Sequence, residues 1–337
     1  LPATTFMVAT LPLIGSWSIG YKDDRVLPDV SILYILNTFG AVAGCIFTQT
    51  VAVKYFGVNG TILIAVGMNL LVFLLCVPLQ KYFTHHLPIE TPAPKRIKSY
   101  RGNSIPERGL SLILIFIFMY SGMASLASEI LWTRVLVFPM GTTLYSFALI
   151  LATFLFGIAL GSLIADKLLG SSNLILKFLL IQLIIAISCI AILPMFENLH
   201  KWTSQADHLF YDIDNAALKT LGIRSLFAFG LMLLPTLGFG LIFPLANRIH
   251  LDLFRTVGST LGNIYALNTV GALLGTILTP FLFIPFLGIR MSLFTIYSIL
   301  IALCLIAVII YFKWESKNIA IATSLTIVAI FGGYIWS

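Results

Sequence analysis

The segment "LYILNTFGAVAG", residues 33–44, decides the fold of this chain because a close copy of it occurs near the other end. Set over "IYALNTVGALLG", residues 264–275, it is identical at seven of twelve positions, with a constant offset of 231. The same offset relates Gly57 to Gly288, which follow the two segments at equal distance. A fixed offset between similar segments is the signature of an internal repeat.

The composition around these segments is that of a membrane protein. Hydrophobic residues make up 59% of the 337 residues and charged residues only 10%, and the mean hydropathy is +1.02. Globular proteins average about 45–50% apolar and about 25% charged residues. Apolar runs of about 20 residues, the length that crosses a hydrocarbon core, follow one another along the chain. We predict spans near 1–20, 29–53, 59–80, 110–138, 142–165, 174–196, 223–247, 258–285, 291–312 and 318–337.

The charges of the connecting segments predict how the spans are oriented. The long polar connector 81–108 carries six basic residues against two acidic ones, a net +4 out of the total of +7. By the positive-inside rule this linker is cytoplasmic. Counting spans from it places segment 197–224 outside, and that segment carries a net −1.

The repeat predicts the organisation of the whole chain. Both copies have the same predicted direction through the bilayer, so they form a parallel repeat, like the two halves of major facilitator transporters. We therefore expect an all-α polytopic membrane protein with two parallel-related six-helix repeats. The expected parts are the last three helices of the first repeat (1–80), the linker (81–108), the second repeat (109–315) and an additional span (318–337). On this interpretation about three helices of the first repeat precede residue 1.

The string "SGMASLASEILWTRVLVFPMGTTLYSFALILATFLFGIALGS", residues 121–162, resembles the membrane portion of fused spermidine synthase-like proteins. A second similar block begins with "LPTLGFGLIFPLANR", residues 234–248. In that family a multispanning domain precedes a polyamine aminopropyltransferase-like domain, which implies the bacterial inner membrane. The catalytic half needs a Rossmann-like domain with a Gly-rich loop, and no such segment occurs in these 337 residues. The chain is therefore expected to be non-catalytic.

Two charges stand out in the first of these blocks, Glu129 and Arg134. They lie five residues apart, about 140° around a helix, so they cannot form an i,i+4 pair. One interpretation is that both reach the outer headgroups, with Trp132 as an interfacial anchor. A second is that Glu129 faces a cavity and binds a cation such as a polyamine or relays a proton. A third, which we favour for at least one charge, is a contact with Tyr145 or with segment 197–224.

The repeated segments carry small and polar residues at helical spacing. In both copies an Asn and two Gly residues lie at i, i+3 and i+7, on one helix face, where helices can approach closely. Helix packing is the favoured role, and a ligand site between the two repeats is the alternative. The residues concerned are Tyr34, Asn37, Gly40 and Gly44 in the first copy and Tyr265, Asn268, Gly271 and Gly275 in the second.

A shorter motif lies on the predicted cytoplasmic side. "GSLIADKLLG", residues 161–170, is loosely similar to the signature loop of major facilitator proteins, in which an acid and a base join neighbouring helices. Asp166 and Lys167 are accordingly candidates for a gating latch, and a solvated turn is the alternative.

Metal and cofactor chemistry finds no support in the sequence. The four cysteines lie singly in apolar segments, without the C-x-x-C spacing of a metal site or the pattern of a disulfide framework. We expect no metal, no cofactor and no nucleic-acid partner.

Two classes of function remain. The chain is either an anchor or accessory subunit in a larger membrane assembly, or a major facilitator-like transporter or binding module for a polyamine or another small molecule. Transporters of charged substrates hold acids or bases within their spans, whereas here almost every ionisable residue maps to a loop or a span end. We therefore favour the accessory role, with the bilayer and either other membrane subunits or a fused or associated soluble domain as partners.

Overall fold

The structure is a computed structural model, and it describes residues 26–86, 108–140, 143–169, 173–195, 198, 201–202, 205, 216–254 and 257–312. The helices are α1 (Val26–Phe47), α2 (Val53–His86), α3 (Arg108–Met140), α4 (Leu144–Leu169), α5 (Leu174–Ala191), α6 (Ala216–Phe254), α7 (Val257–Leu278) and α8 (Ile284–Tyr311). Two five-residue π-helical segments, Thr48–Ala52 and Thr279–Phe283, join α1 to α2 and α7 to α8.

The chain is an all-α polytopic membrane protein. Six stretches of the described chain are long and apolar enough to cross a membrane, and no strand occurs among the described residues. Two of the stretches, Ile32–Pro78 and Ala266–Tyr311, are 47 and 46 residues long. Since a span needs about 20 residues, each is long enough for two crossings. The predicted spans 1–20 and 318–337 lie outside the described residues, as does the linker beyond His86.

The offset of 231 found in the sequence also holds for the backbone. In each copy an α-helix passes into a π-helical segment and returns to α-helix, which then breaks at a glycine with positive φ. Each of these features of the first copy recurs 231 residues later in the second. Gly57 has φ 66° and Gly288 has φ 73°. An L-residue with a side chain avoids this conformation, which explains why glycine occupies both positions. The breaks coincide with the predicted connections between 53 and 59 and between 285 and 291.

A side-chain hydroxyl completes the hydrogen bonding at each break. Thr61 Oγ1 donates to the carbonyl oxygen of Gly57 at 2.7 Å, and Ser292 Oγ donates to the carbonyl oxygen of Gly288. Residues 61 and 292 are again 231 apart. A polar backbone group without a partner is costly in an apolar environment, so a hydroxyl four residues later stabilises the broken helix.

The buried core lies mainly among α3, α4, α5, α6 and α8. α4 packs against α6, α3 against α7 and α8, and α5 against α6 and α8, while α1 reaches across to α4. The largest fully buried side chains come from α3, α4, α5 and α8. The described part of the first copy thus joins the second copy through α1.

The helix α2 differs from its counterpart α8 in what surrounds it. Between Val53 and Pro78 no residue of α2 is buried, and all but four are exposed. Its only substantial described contact is with the adjoining segment Thr48–Ala52. α8, by contrast, packs against both α3 and α5.

Candidate functional site

The contact between α3 and α7 is built on the small residues of the second copy. A Cβ atom at Gly271 would collide with the carbonyl oxygen of Met119, and one at Gly275 would collide with that of Met123. From the other side, a Cβ at Gly122 would meet the Oδ1 and carbonyl oxygens of Asn268. The backbones of α3 and α7 are therefore in direct contact here, and this close approach is possible only because these positions are glycines.

A second close contact joins α4 to α6. Cβ atoms at Gly161 and Gly240 would each collide with the backbone of the opposite helix. Pro244 lacks an N–H and so leaves the carbonyl oxygen of Gly240 without its helical donor. Ser162 Oγ of α4 donates to that oxygen at 2.9 Å. The interhelical hydrogen bond compensates for the proline and fixes the register of the two helices.

The two copies meet where α1 lies against α4 and α6. The rings of Phe39 and Phe156 pack edge to face, with centroids 6.1 Å apart. Tyr34 stacks on Phe243 of α6, with centroids 4.4 Å apart. Cys45 Sγ donates to the carbonyl oxygen of Ala148 at 3.4 Å.

Tyr34 is the one predicted packing residue of the first copy that takes part in this contact, and the other three lie on another face of α1. Asn37, Gly40 and Gly44 are exposed. A Cβ at Gly40 or Gly44 would meet nothing within 4 Å. Within the described chain, therefore, the small residues of α7 pack against α3, whereas no described helix packs against their equivalents on α1. Tyr265 is the one residue of the two sets whose side chain lies outside the described part.

The charges of α3 occupy different surroundings. Arg134 is exposed and Glu129 is half-buried. Among the described residues neither side chain has a hydrogen-bond or ion-pair partner, although the carbonyl oxygen of Glu129 accepts a bond from Thr133 Oγ1 at 2.7 Å. The favoured partners, the side chain of Tyr145 and most of segment 197–224, lie outside the described residues, so this contact stays a prediction.

Trp132 is not placed as an interfacial anchor would be. It is buried in the core, and its indole packs edge to face on Phe154 of α4 with centroids 6.1 Å apart. Phe154 in turn lies 6.4 Å from the Phe239 ring of α6. Trp132 therefore packs α3 onto α4 inside the protein.

Sequence reasoning missed a set of buried polar contacts between α3, α5 and α8. Ser121 Oγ donates to Gln182 Oε1 at 3.2 Å, Ser128 Oγ bonds to the hydroxyl of Tyr297, and Tyr120 donates to the carbonyl oxygen of Ile296 at 2.9 Å. The available signal was a single polar residue inside an apolar span, which in membranes often marks an interhelical hydrogen bond.

The remaining candidates are only partly described. Lys167 is exposed near the end of α4, and the side chain of Asp166 lies outside the described part, so the latch stays a prediction. Within the described ranges no three His, Cys, Asp or Glu side chains are grouped so as to hold a metal ion.

Comparison of the chain with protein families, curated proteins and solved structures finds no match.

Proposed function

We propose that this chain is a non-catalytic module of a larger membrane assembly, in which it acts as an accessory subunit or anchor. The observation that carries the proposal is the bare surface of α2. Its counterpart α8 is covered by α3 and α5, and no described helix takes the equivalent positions around α2.

Equivalent residues of the two helices differ sharply in exposure. Leu293 is 0% exposed and its counterpart Ile62 is 55% exposed. Tyr297 is 0% exposed and its counterpart Val66 is 58% exposed. The equivalent face is thus buried against protein in α8 and exposed at the surface of the described bundle in α2. In the assembled state, helices outside the described residues, from upstream sequence or from another subunit, would cover α2.

The described interior also favours a role without transport of charged substrates. The buried polar side chains are Ser, Thr, Gln and Asn, and no Asp, Glu, Lys or Arg is among the fully buried residues of the described part. Transport paths for charged substrates hold such groups within the bundle.

The kind of assembly is suggested by the sequence resemblance alone. Because residues 121–162 resemble the membrane portion of spermidine synthase-like proteins, we propose that the module positions an aminopropyltransferase-like domain, fused or associated, at the bacterial inner membrane. The linker 81–108, proposed to be cytoplasmic, carries a net charge of +4 that would attract acidic groups of such a domain.

Lipid-phase photolabelling tests whether α2 is covered. A diazirine-bearing fatty acid would be activated both in native membranes and in liposomes that hold the purified chain alone, and labelled peptides would be mapped by mass spectrometry. We expect residues 53–78 to be labelled strongly in liposomes and weakly in native membranes. Leu112 and Leu180, exposed on α3 and α5, are controls that should label in both. Equal labelling of 53–78 in the two preparations would contradict the accessory role.

A transporter for a polyamine or other small molecule is the second candidate, favoured by the half-buried carboxylate of Glu129 and by the contact of α1 with α4 between the two copies. Such proteins bind substrate between their repeats. Uptake of radiolabelled spermidine into liposomes, lost in Glu129→Gln and kept in Arg134→Gln, would support it. Absence of spermidine uptake by the complete assembly would exclude the transporter function.

A further inference from the structure

A buried hydroxyl in the second π-helical segment has no partner within the described chain. Thr279 begins the segment Thr279–Phe283 and is 0% exposed. No described atom forms a hydrogen bond with its Oγ1. A hydroxyl that leaves water without gaining another partner is costly to bury, and π-helical turns inside α-helices are frequent at functional sites. We therefore expect a polar ligand beside Thr279.

One face of α3 carries a row of oxygen-bearing side chains. Ser125, Glu129 and Thr133 follow Gly122 at i+3, i+7 and i+11, so these positions lie within about 80° around the helix. Gly122 points at α7, because a Cβ there would meet the Oδ1 and carbonyl oxygens of Asn268. All three side chains of the row are half-buried. The row therefore faces α7 and its continuation.

The register of α3 and α7 brings Glu129 level with Thr279. A step of four residues from Gly271 to Gly275 along α7 matches a step of four to Met123 along α3, so the two helices run parallel. Glu129 lies six residues beyond Met123. Thr279 lies four residues beyond Gly275, so at 1.5 Å per residue the two side chains differ by about 3 Å in height. Since α3 also packs against the π-helical segment itself, the carboxylate and the buried hydroxyl lie at one height of the same interface.

We infer that Glu129, Ser125 and Thr279 form a binding site for one small monovalent cation such as Na⁺, between α3 and the second π-helical segment. The site supplies one carboxylate and two hydroxyl oxygens, which are the ligands that hard cations prefer. Pro280 has no N–H, so the carbonyl oxygen of Thr276 lacks its helical donor and could serve as a further ligand. Carbonyl oxygens at irregular turns of membrane helices coordinate Na⁺ in transporters. The inference goes beyond the accessory role and does not depend on it.

The charge of the site favours a monovalent cation over other cations. Glu129 is the one carboxylate among the side chains that the structure describes. Arg134 does not neutralise it, because Arg134 is exposed and lies about 140° further around the helix. A divalent ion or a polyamine carries two or more positive charges, which a single carboxylate does not balance. One carboxylate and neutral oxygens therefore match an ion of charge +1.

Binding of radioactive sodium to the purified chain in lipid nanodiscs tests the inference. We expect one sodium ion per chain, displaced by unlabelled Na⁺ or Li⁺ and not by choline at the same ionic strength. Spermidine and Mg²⁺ are the competitors that distinguish the other cation classes. Absence of sodium binding, or displacement by spermidine or Mg²⁺ at lower concentration than by Na⁺, would overturn the inference.

Matched substitutions locate the site. Thr279→Val and Thr276→Val each remove one hydroxyl from the same turn, but Thr276 Oγ1 donates to the carbonyl oxygen of Ala272 at 2.9 Å and is exposed. We expect Thr279→Val to weaken sodium binding about tenfold, the equivalent of about 1.4 kcal/mol, and Thr276→Val to leave it unchanged. Glu129→Gln should abolish binding and Arg134→Gln should keep it. Equal loss in the two valine variants, or sodium binding kept in Glu129→Gln, would contradict the assignment.

Thermal unfolding gives a second measurement that does not require every variant to fold. A ligand that binds only the folded state raises Tm as its concentration rises. The unsubstituted chain should therefore have a higher Tm in sodium chloride than in choline chloride at the same ionic strength, and an equal Tm in both salts would refute the site. Because the purified chain is used alone, these results are independent of whether other helices cover α2 in native membranes. Failure of the cation site and failure of the accessory role are thus distinguishable.

Discussion

At the scale of single residues, Gly271 makes the most demanding contact between helices. A side chain there would collide with the carbonyl oxygen of Met119. We expect Gly271→Leu to force α3 and α7 apart and to lower the free energy of unfolding by about 1–3 kcal/mol, the usual cost of overpacking. Unfolding in mixed micelles with increasing SDS measures it. Gly67→Leu is the control and should change little, and equal stability of the two variants would show that the contact is absent.

The bond between Ser128 and Tyr297 gives a second prediction for individual residues. Both side chains are buried, and the bond joins α3 to α8. In a double-mutant cycle of Ser128→Ala and Tyr297→Phe we expect a coupling free energy of about 0.6 kcal/mol, and at most about 1.7 kcal/mol, as for other hydrogen bonds between membrane helices. Additive effects of the two substitutions would mean that the hydroxyls do not bond.

What the sequence revealed about single residues depended on spacing. Gly271 and Gly275 could be recognised as packing residues because they repeat at i and i+4 beside an Asn. Trp132 could not be placed, because a Trp near a span end suits an interfacial anchor and a core position equally well, and only its contact with Phe154 decides. The pair of Ser121 and Gln182 lies 61 residues apart, and no local pattern predicts such a contact.

At the scale of helices, the breaks at Gly57 and Gly288 separate each long apolar stretch into two. Both glycines have an extended ψ with positive φ, a region that side chains disfavour by about 1–3 kcal/mol. We expect Gly57→Ala and Gly288→Ala each to destabilise by about that amount even though neither would meet a neighbouring atom. Gly67→Ala, in a regular helical position, should be neutral or slightly stabilising. Chemical unfolding of the three variants checks the order, and a harmless Gly288→Ala would contradict it.

The helices themselves could be predicted from apolar runs, because a span must be long, apolar and internally hydrogen-bonded. The π-helical segments could not. Pro280 lies in the second of them, yet Gln49 holds the equivalent place in the first, so proline is not what the two share. One extra residue in a turn leaves an apolar run apolar, so hydrophobic periodicity does not record it.

At the scale of the whole molecule, the charges of two segments predict the orientation in the membrane. We expect a cysteine introduced at Ser104 in a variant without native cysteines to react with a membrane-impermeant maleimide only from the cytoplasmic side. A cysteine at Ser204 should react from the outside. Intact cells and inverted vesicles provide the two measurements. Reaction of both positions from one side would overturn the topology.

The relation between the α1–α2 pair and the α7–α8 pair could be predicted from the sequence, since one repeated segment with a constant offset indicated it. Which surfaces are covered was not accessible. Gly40 and Gly271 have nearly the same sequence neighbours, and only the three-dimensional structure shows that α3 lies on one of them. Similar local patterns can therefore end in different surroundings within the described part of the chain.

Mass measurement of the complex released from native membranes into lipid nanodiscs tests the central claim most directly. We predict a complex that contains this chain, of 37.1 kDa, together with at least one other membrane polypeptide in fixed stoichiometry. A particle that contains this chain alone, as a single copy or as a multiple of itself, would contradict the account.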